Sequence, residues 1–243
     1  MKEDQAARVI VALDVENSVQ AEALAEKLAS ALLFKVGLEL FTAEGPPVIA
    51  KLRELGKDVF LDLKLHDIPN TAAGAVRSAS RHSVRMMTIH ASGGREMMVR
   101  AAEAAERSAA AAGRPRPVLL GVTVLTSLKG DDLAEVGMHS QVQEQVLRLA
   151  GLAKKAGLDG VVCSPQEIEV LRKEFGRELV IVTPGIRPAW AAAQDQKRIM
   201  TPAEAVAGGA DYLVIGRPIT AAADPEEAFR RVLEEIQNNL ISG

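Results

Sequence analysis

Short apolar runs alternate with longer stretches of helical periodicity along the whole chain. The runs fall at 9–15 (VIVALDV), 33–38, 59–65 (VFLDLKL), 86–91, 118–125, 160–164, 179–184 and 212–216. Between them, stretches such as AEALAEKLASAL and QVLRLAGLAKKAG space their apolar residues by three and four, as an amphipathic helix does. Strand-length runs alternating with helices predict a parallel sheet with helical crossovers. Eight runs is also the number at which such a sheet closes into a TIM (β/α)8 barrel. The helix starts agree with this register. SPQE (164–167), TPAE (201–204) and DPEE (224–227) each offer an oxygen-bearing cap, a proline at the first helical position and a glutamate three residues after the cap. NSVQ (17–20) is a weaker version.

No linker, low-complexity tract or second composition interrupts the pattern, so 1–243 reads as a single (β/α)8 barrel domain. The longest irregular stretch is PGIRPAWAAAQDQKRIM, 184–200. A loop of that length in a compact barrel is more often functional than idle, and can close as a lid.

Composition narrows the function classes. A net charge of -3, with Lys and Arg spread along the chain, argues against a nucleic-acid partner. A single cysteine, Cys163, excludes an internal disulfide framework and fits a reducing cytoplasm. The start, MKEDQAARVIVALDV, is acidic where a signal peptide is basic, and no apolar stretch is long enough to span a bilayer. These features predict a soluble, cytoplasmic protein.

The third run carries the unexpected charges. Alternation places Leu61, Leu63 and Leu65 on one face, under helices, and Phe60, Asp62 and Lys64 on the other, facing into the barrel. Asp14 ends the first strand, Lys35 lies on the second and Asp67 follows the third. Barrel active sites lie at this C-terminal end of the strands. Buried ion pairs stabilise weakly, because desolvation offsets the Coulomb gain. An acid–base array at strand ends is therefore better explained by chemistry than by a structural ion-pair cluster. After the eighth run, Gly216 can admit a phosphate to the backbone N–H groups, and Arg217 can grip it. Taken alone, IGR reads equally as a solvated arginine after a turn; opposite the charged cluster it gains weight. Arg187 and Gln196, in the long loop, are natural partners for the same anion. His66 and His90 read as surface or satisfied histidines, and Cys163 as a small buried hydrophobe. No His/Cys set has zinc spacing, the aspartates are interleaved with lysines, and no GxGxxG follows the first strand.

DLKLHDIPNT (62–71) closely resembles the signature of orotidine 5'-phosphate decarboxylases. VALDV with Asp14, KVGLEL with Lys35, VTVLTS with Thr126, TPGIRP with Arg187, DQKRIMTP with Gln196 and VIGRPIT with Arg217 resemble further segments of that family, in order, and of its bacterial branch. D-x-K-x-x-D alone is shared with related barrel lyases; the ordered set is far more specific. The resemblance implies a barrel carboxy-lyase that converts orotidine 5'-phosphate to UMP and carbon dioxide in pyrimidine biosynthesis, without metal or cofactor. It also implies a homodimer with composite sites, in which Asp67 and Thr71 reach the neighbouring subunit's substrate. By the same resemblance Lys35, Asp62, Lys64 and Asp67 form the catalytic charge array, with Lys64 as acid. Asp14 and Lys35 hold the ribose and Thr126 the pyrimidine. Gln196, Gly216, Arg187 and Arg217 hold the phosphate, and Asp62, Ile68 and Thr71 complete the substrate contacts. The residues by themselves leave open a metal-dependent lyase or aldolase acting on a sugar phosphate, a Schiff-base aldolase using Lys64, and a non-catalytic phosphosugar-binding barrel.

Overall fold

The structure, a computed structural model, describes residues 5–138, 141–191 and 200–242. Its eight strands are β1 (Val9–Leu13), β2 (Leu33–Gly37), β3 (Asp58–Leu65), β4 (Met86–His90), β5 (Val118–Val122), β6 (Gly160–Val162), β7 (Val180–Thr183) and β8 (Tyr212–Ile215). They close in chain order into a parallel barrel, as the alternating pattern predicts. Several strands stop short of their apolar runs: β1 ends at Leu13, β5 at Val122 and β6 at Val162. After β5 and β6 burial outlasts the strand, with Val124 and Cys163 buried beyond them, whereas Asp14, just past β1, is exposed.

The chain groups into two compact units, 1–63 with 184–243, and 64–183. In the first, β1 pairs with β2 (Val11 opposite Phe34) and with β8 (Val11 opposite Ile215), and β2 with β3 (Lys35 opposite Phe60). Ile10, Leu13, Phe34 and Phe229 are fully buried in its core. Lys57 is buried as well, and its ammonium donates to the carbonyls of Leu28, Ala29 and Ala31 at 3.0, 3.1 and 2.9 Å. Those bonds satisfy acceptors just past the helix Ser18–Lys27, while burial holds the lysine's pKa below its ordinary value.

In the second unit β4, β5, β6 and β7 pair in sequence, with Gly160 opposite Val180. A Cβ on Gly160 would lie 2.2 Å from the Val180 carbonyl oxygen, so only glycine fits. The helices Pro69–Ser80 and Arg95–Ala112 pack together, and Ala72, Ala73, Ala101 and Ala104 on them are buried.

Most of the expected caps form. Thr201 and Glu204 make the full reciprocal box at the helix Pro202–Gly208. Asp224 accepts from the Glu227 N–H at 3.0 Å and Asn17 from the Gln20 N–H at 3.0 Å. Ser164 differs: it opens a 3-10 turn, Pro165–Glu167, and the α-helix begins only at Ile168. The Ser164 oxygen reaches Gln166 N rather than the third position, which suits the tighter turn.

Candidate active site

The best-defined part of the site is built wholly within the first unit. Lys35 projects from β2, and its ammonium donates to Asp14 Oδ1 at 2.9 Å, just past the end of β1. The lysine side chain is 12% exposed and the aspartate 61%, so the pair is a shielded cation under a solvent-facing acid. Gly37 makes the room: a Cβ there would stand 2.9 Å from Lys35 Nζ. Asp14, Lys35, Gly185, Arg187, Gly216 and Arg217 line one cavity of about 190 Å³. That is smaller than a typical small-molecule pocket. Arg187 is buried at 6% exposure, and its N–H donates to the Met200 carbonyl at 3.0 Å, beside the Ile186–Met200 bridge. Arg217 is exposed at the start of a short helix, Arg217–Thr220, whose first bonds close on the Gly216 carbonyl. A Cβ on Gly216 would meet Ala12 and Asp14 atoms only at ordinary contact distances of 3.5 and 3.6 Å. The protein's own packing therefore does not demand glycine there.

Strand β3 carries the next group. Phe60 and Asp62 are buried, at 1% and 8% exposure. Leu61 is buried, whereas Leu63 and Leu65 are only half-buried, so the expected apolar face weakens toward the end of the strand. Lys64 departs from strand geometry: its φ is 51°, in the left-handed region that non-glycine residues rarely occupy. The Lys64 N–H is held by Thr88 Oγ1 at 2.9 Å, and Thr88, on β4, is fully buried. Strain of this kind persists only where surrounding groups enforce it, and it concentrates at working sites. Past the strand, Asp67 accepts its neighbour's N–H, that of Ile68, at 2.7 Å. Asp67, Ile68 and Thr71 are all exposed, Ile68 at 68%, where the helix Pro69–Ser80 begins. Thr126 is exposed in the turn after β5. Gln196 lies outside the described residues. Among the described residues no three His, Cys, Asp or Glu side chains gather as a metal site.

Residues 7–232 match the model of the orotidine 5'-phosphate decarboxylase / HUMPS family. The chain belongs to that family. A protein of Moorella thermoacetica named orotidine 5'-phosphate decarboxylase is 54% identical over 232 residues, covering 95% of this chain and 92% of its own. One of the same name from Nostoc sp. is 52% identical over 230 residues, covering 94% and 97%. The crystal structure of orotidine 5'-phosphate decarboxylase from Lactobacillus acidophilus superposes with a TM-score of 0.84 at 40% identity, covering 94% of this chain and 98% of its own.

Membership in the family gives the site residues a common context, and the structure places them in two groups. Asp14, Lys35, Arg187, Gly216 and Arg217 share one cavity. Asp62 and Lys64 sit two apart on β3, and Asp67, Ile68 and Thr71 follow it. Two residues with positional roles escaped the sequence reading. Gly37, inside KVGLEL, looks like any strand-end glycine until the Lys35 ammonium is seen beside it. Thr88 had a faint signal, a lone hydroxyl between Met87 and Ile89 in a buried strand.

Proposed function

We propose that the chain decarboxylates orotidine 5'-phosphate at C6, giving UMP and carbon dioxide in pyrimidine biosynthesis. The observation that carries this reading is the near full-length likeness to proteins of that name at 52% and 54% identity. The cavity supports it: two arginines suit a phosphate, and the Asp14–Lys35 pair suits ribose hydroxyls, which need one acceptor and one donor.

When the C6–carboxylate bond breaks, its electron pair stays on C6 in an orbital that the ring π-system cannot delocalise. The charge must be met by groups fixed in advance. Lys64 meets it, with an ammonium that faces C6 and then transfers a proton to it; the amine recovers a proton from solvent. Lys35, Asp62 and Asp67 complete the alternating array. Thr126 addresses the pyrimidine, and Arg187, Gln196, Gly216 and Arg217 the phosphate. Phosphate binding, remote from the reacting bond, contributes to organising the site.

In this reading the protein acts without metal or cofactor, in the cytoplasm, as a homodimer to whose composite sites Asp67, Ile68 and Thr71 contribute across the interface. Their exposure, and the apolar Ile68 in particular, supports a covered surface there. The net charge of -3 gives no basis for a nucleic-acid partner. No helix among the described residues is long and apolar enough to cross a membrane. The decisive test follows the ultraviolet loss of orotidine 5'-phosphate with EDTA present. Turnover is expected from the wild type and not from folded Lys64→Ala. A silent wild type sinks the reading, and near-normal turnover by the variant removes Lys64 from its role.

A further inference from the structure

The segment bearing Arg187 is gripped from behind by the helix Pro225–Ser242. Glu235 accepts the Ala189 N–H at 3.2 Å. Arg231, four residues earlier and so on the same helix face, sets its guanidinium 4.3 Å from the centre of the Trp190 ring. Two successive residues, two and three past Arg187, are thus held by two side chains one helical turn apart. The seam is not fully satisfied. Trp190 Nε1, a donor, and Glu235 Oε1, an acceptor, are both buried with no hydrogen-bond partner among the described residues. Buried orphans are uncommon in native structures and call for a reason. Burial, together with nearby Glu204, also pushes the Glu235 carboxyl above its ordinary range, while the Ala189 N–H opposes the shift. Nothing in the decarboxylation needs an acid here, and stability alone is a poor reason to keep one.

We propose that Glu235, with Trp190 and Arg231, forms a seat that positions Arg187 for the substrate phosphate, and that filling the phosphate site is felt at Trp190. The seat rests on the assignment of Arg187 to the phosphate in the functional reading above. Arg187 is itself buried, so its guanidinium is aimed by its backbone, and a displacement of about 1 Å in a positioning group can cost roughly a hundredfold in rate. Glu235 fixes that backbone two residues away, and Arg231 clamps the next ring. An orphan donor and an orphan acceptor in the same seam leave it able to tighten when the phosphate site fills.

Trp190 is the chain's only tryptophan, so tryptophan emission, excited where the single tyrosine does not absorb, reports on this seam alone. UMP and inorganic phosphate are expected to change its emission, and uridine at the same concentration is not. Glu235→Leu should lower kcat/KM about tenfold, the loss of roughly one charged hydrogen bond. Glu235→Gln keeps an acceptor for Ala189 and should stay within about threefold. In an Arg187→Ala background, Glu235→Leu should cost less than about twofold more, since a residue acting through Arg187 has nothing left to position. An equal loss in both backgrounds, or no loss in a folded Glu235→Leu protein, overturns the proposal. If Glu235→Leu fails to fold, Arg231→Met is carried through the same double-mutant comparison with the same criteria. The fluorescence arm requires no turnover: an emission response to UMP in a wild type that does not decarboxylate would sink the functional reading and leave the seat standing. Turnover with no emission response to UMP overturns the coupling to Trp190.

Discussion

Thr88→Val is the sharpest perturbation available for testing the role proposed for Lys64. The hydroxyl that it removes is the acceptor for the Lys64 N–H, at 2.9 Å, in a side chain with no solvent exposure. Lys64 sits at φ 51°, a conformation that costs a residue with a Cβ about 1–2 kcal/mol. A single hydrogen bond contributes about 0.5–1.5 kcal/mol net. The two are of the same size, so the Thr88 bond is a substantial part of what holds the lysine in place. Valine keeps the branched shape and removes the acceptor. The protein should lose about 1–2 kcal/mol, which at this chain length lowers Tm by about 2–8 °C and leaves it folded at 25 °C. Each 1.4 kcal/mol of lost preference is about a factor of ten in the population of the working backbone, so kcat should fall about three- to thirtyfold. KM should stay within about twofold, because the residues proposed for phosphate and ribose are others. Thr88→Ser, which retains the oxygen, should recover most of the rate. Initial rates at saturating substrate, with a thermal melt on the same samples, decide the matter. A folded Thr88→Val enzyme with kcat within twofold of wild type, or a serine variant as slow as the valine, refutes the argument.

Gly37→Ala places a methyl 2.9 Å from Lys35 Nζ and pushes the ammonium off Asp14. The obstacle is the end of a flexible side chain, so stability should change by less than about 1 kcal/mol while kcat/KM falls about ten- to a hundredfold; a change under threefold sinks the role given to the pair. Arg217→Ala should lower kcat/KM by about two to four orders of magnitude, from roughly 3–5 kcal/mol of lost charged hydrogen bonding. An effect under threefold takes Arg217 out of the phosphate site. Burial pushes the Cys163 thiol far above the ordinary cysteine range, and the thiolate is the reactive form. A thiol reagent at pH 8 should therefore find no reactive cysteine in the native protein and one per chain in guanidinium; fast native labelling contradicts the buried placement.

What could be read from the chain beforehand, and what could not, follows from the range over which each feature is encoded. Strand and helix are encoded within a few residues, in the period of burial, and all eight strands stand where the apolar runs placed them. The gathering of Asp14, Lys35, Arg187, Gly216 and Arg217 was also legible, since a parallel barrel brings strand ends together whatever lies between them. Thr88 and Glu235 act at the other range. Thr88 meets Lys64 across 24 residues and Glu235 meets Ala189 across 46, and no local pattern joins either pair. Gly37 is hidden differently, because its meaning lies in the space it leaves for an atom of another residue.

Lys64 lies between these cases. Its place on the inward side of β3 follows from a period of two, which treats positions 60, 62 and 64 as equivalent. The backbone does not treat them so. Phe60 and Asp62 are buried along the strand, and two residues later, still within β3, Lys64 takes a left-handed φ and is only half-buried. An extended lysine at that point would satisfy the ladder more cheaply, since extended backbone carries no Cβ penalty. The structure instead spends one buried hydroxyl, that of Thr88, on holding the less favourable geometry. A hydrogen bond that helps hold Lys64 off its backbone minimum also helps set where its side chain leaves the strand, and the role proposed for the lysine depends on that direction. For Lys64 that makes backbone strain and catalytic role a single question, and the rate of Thr88→Val measures both.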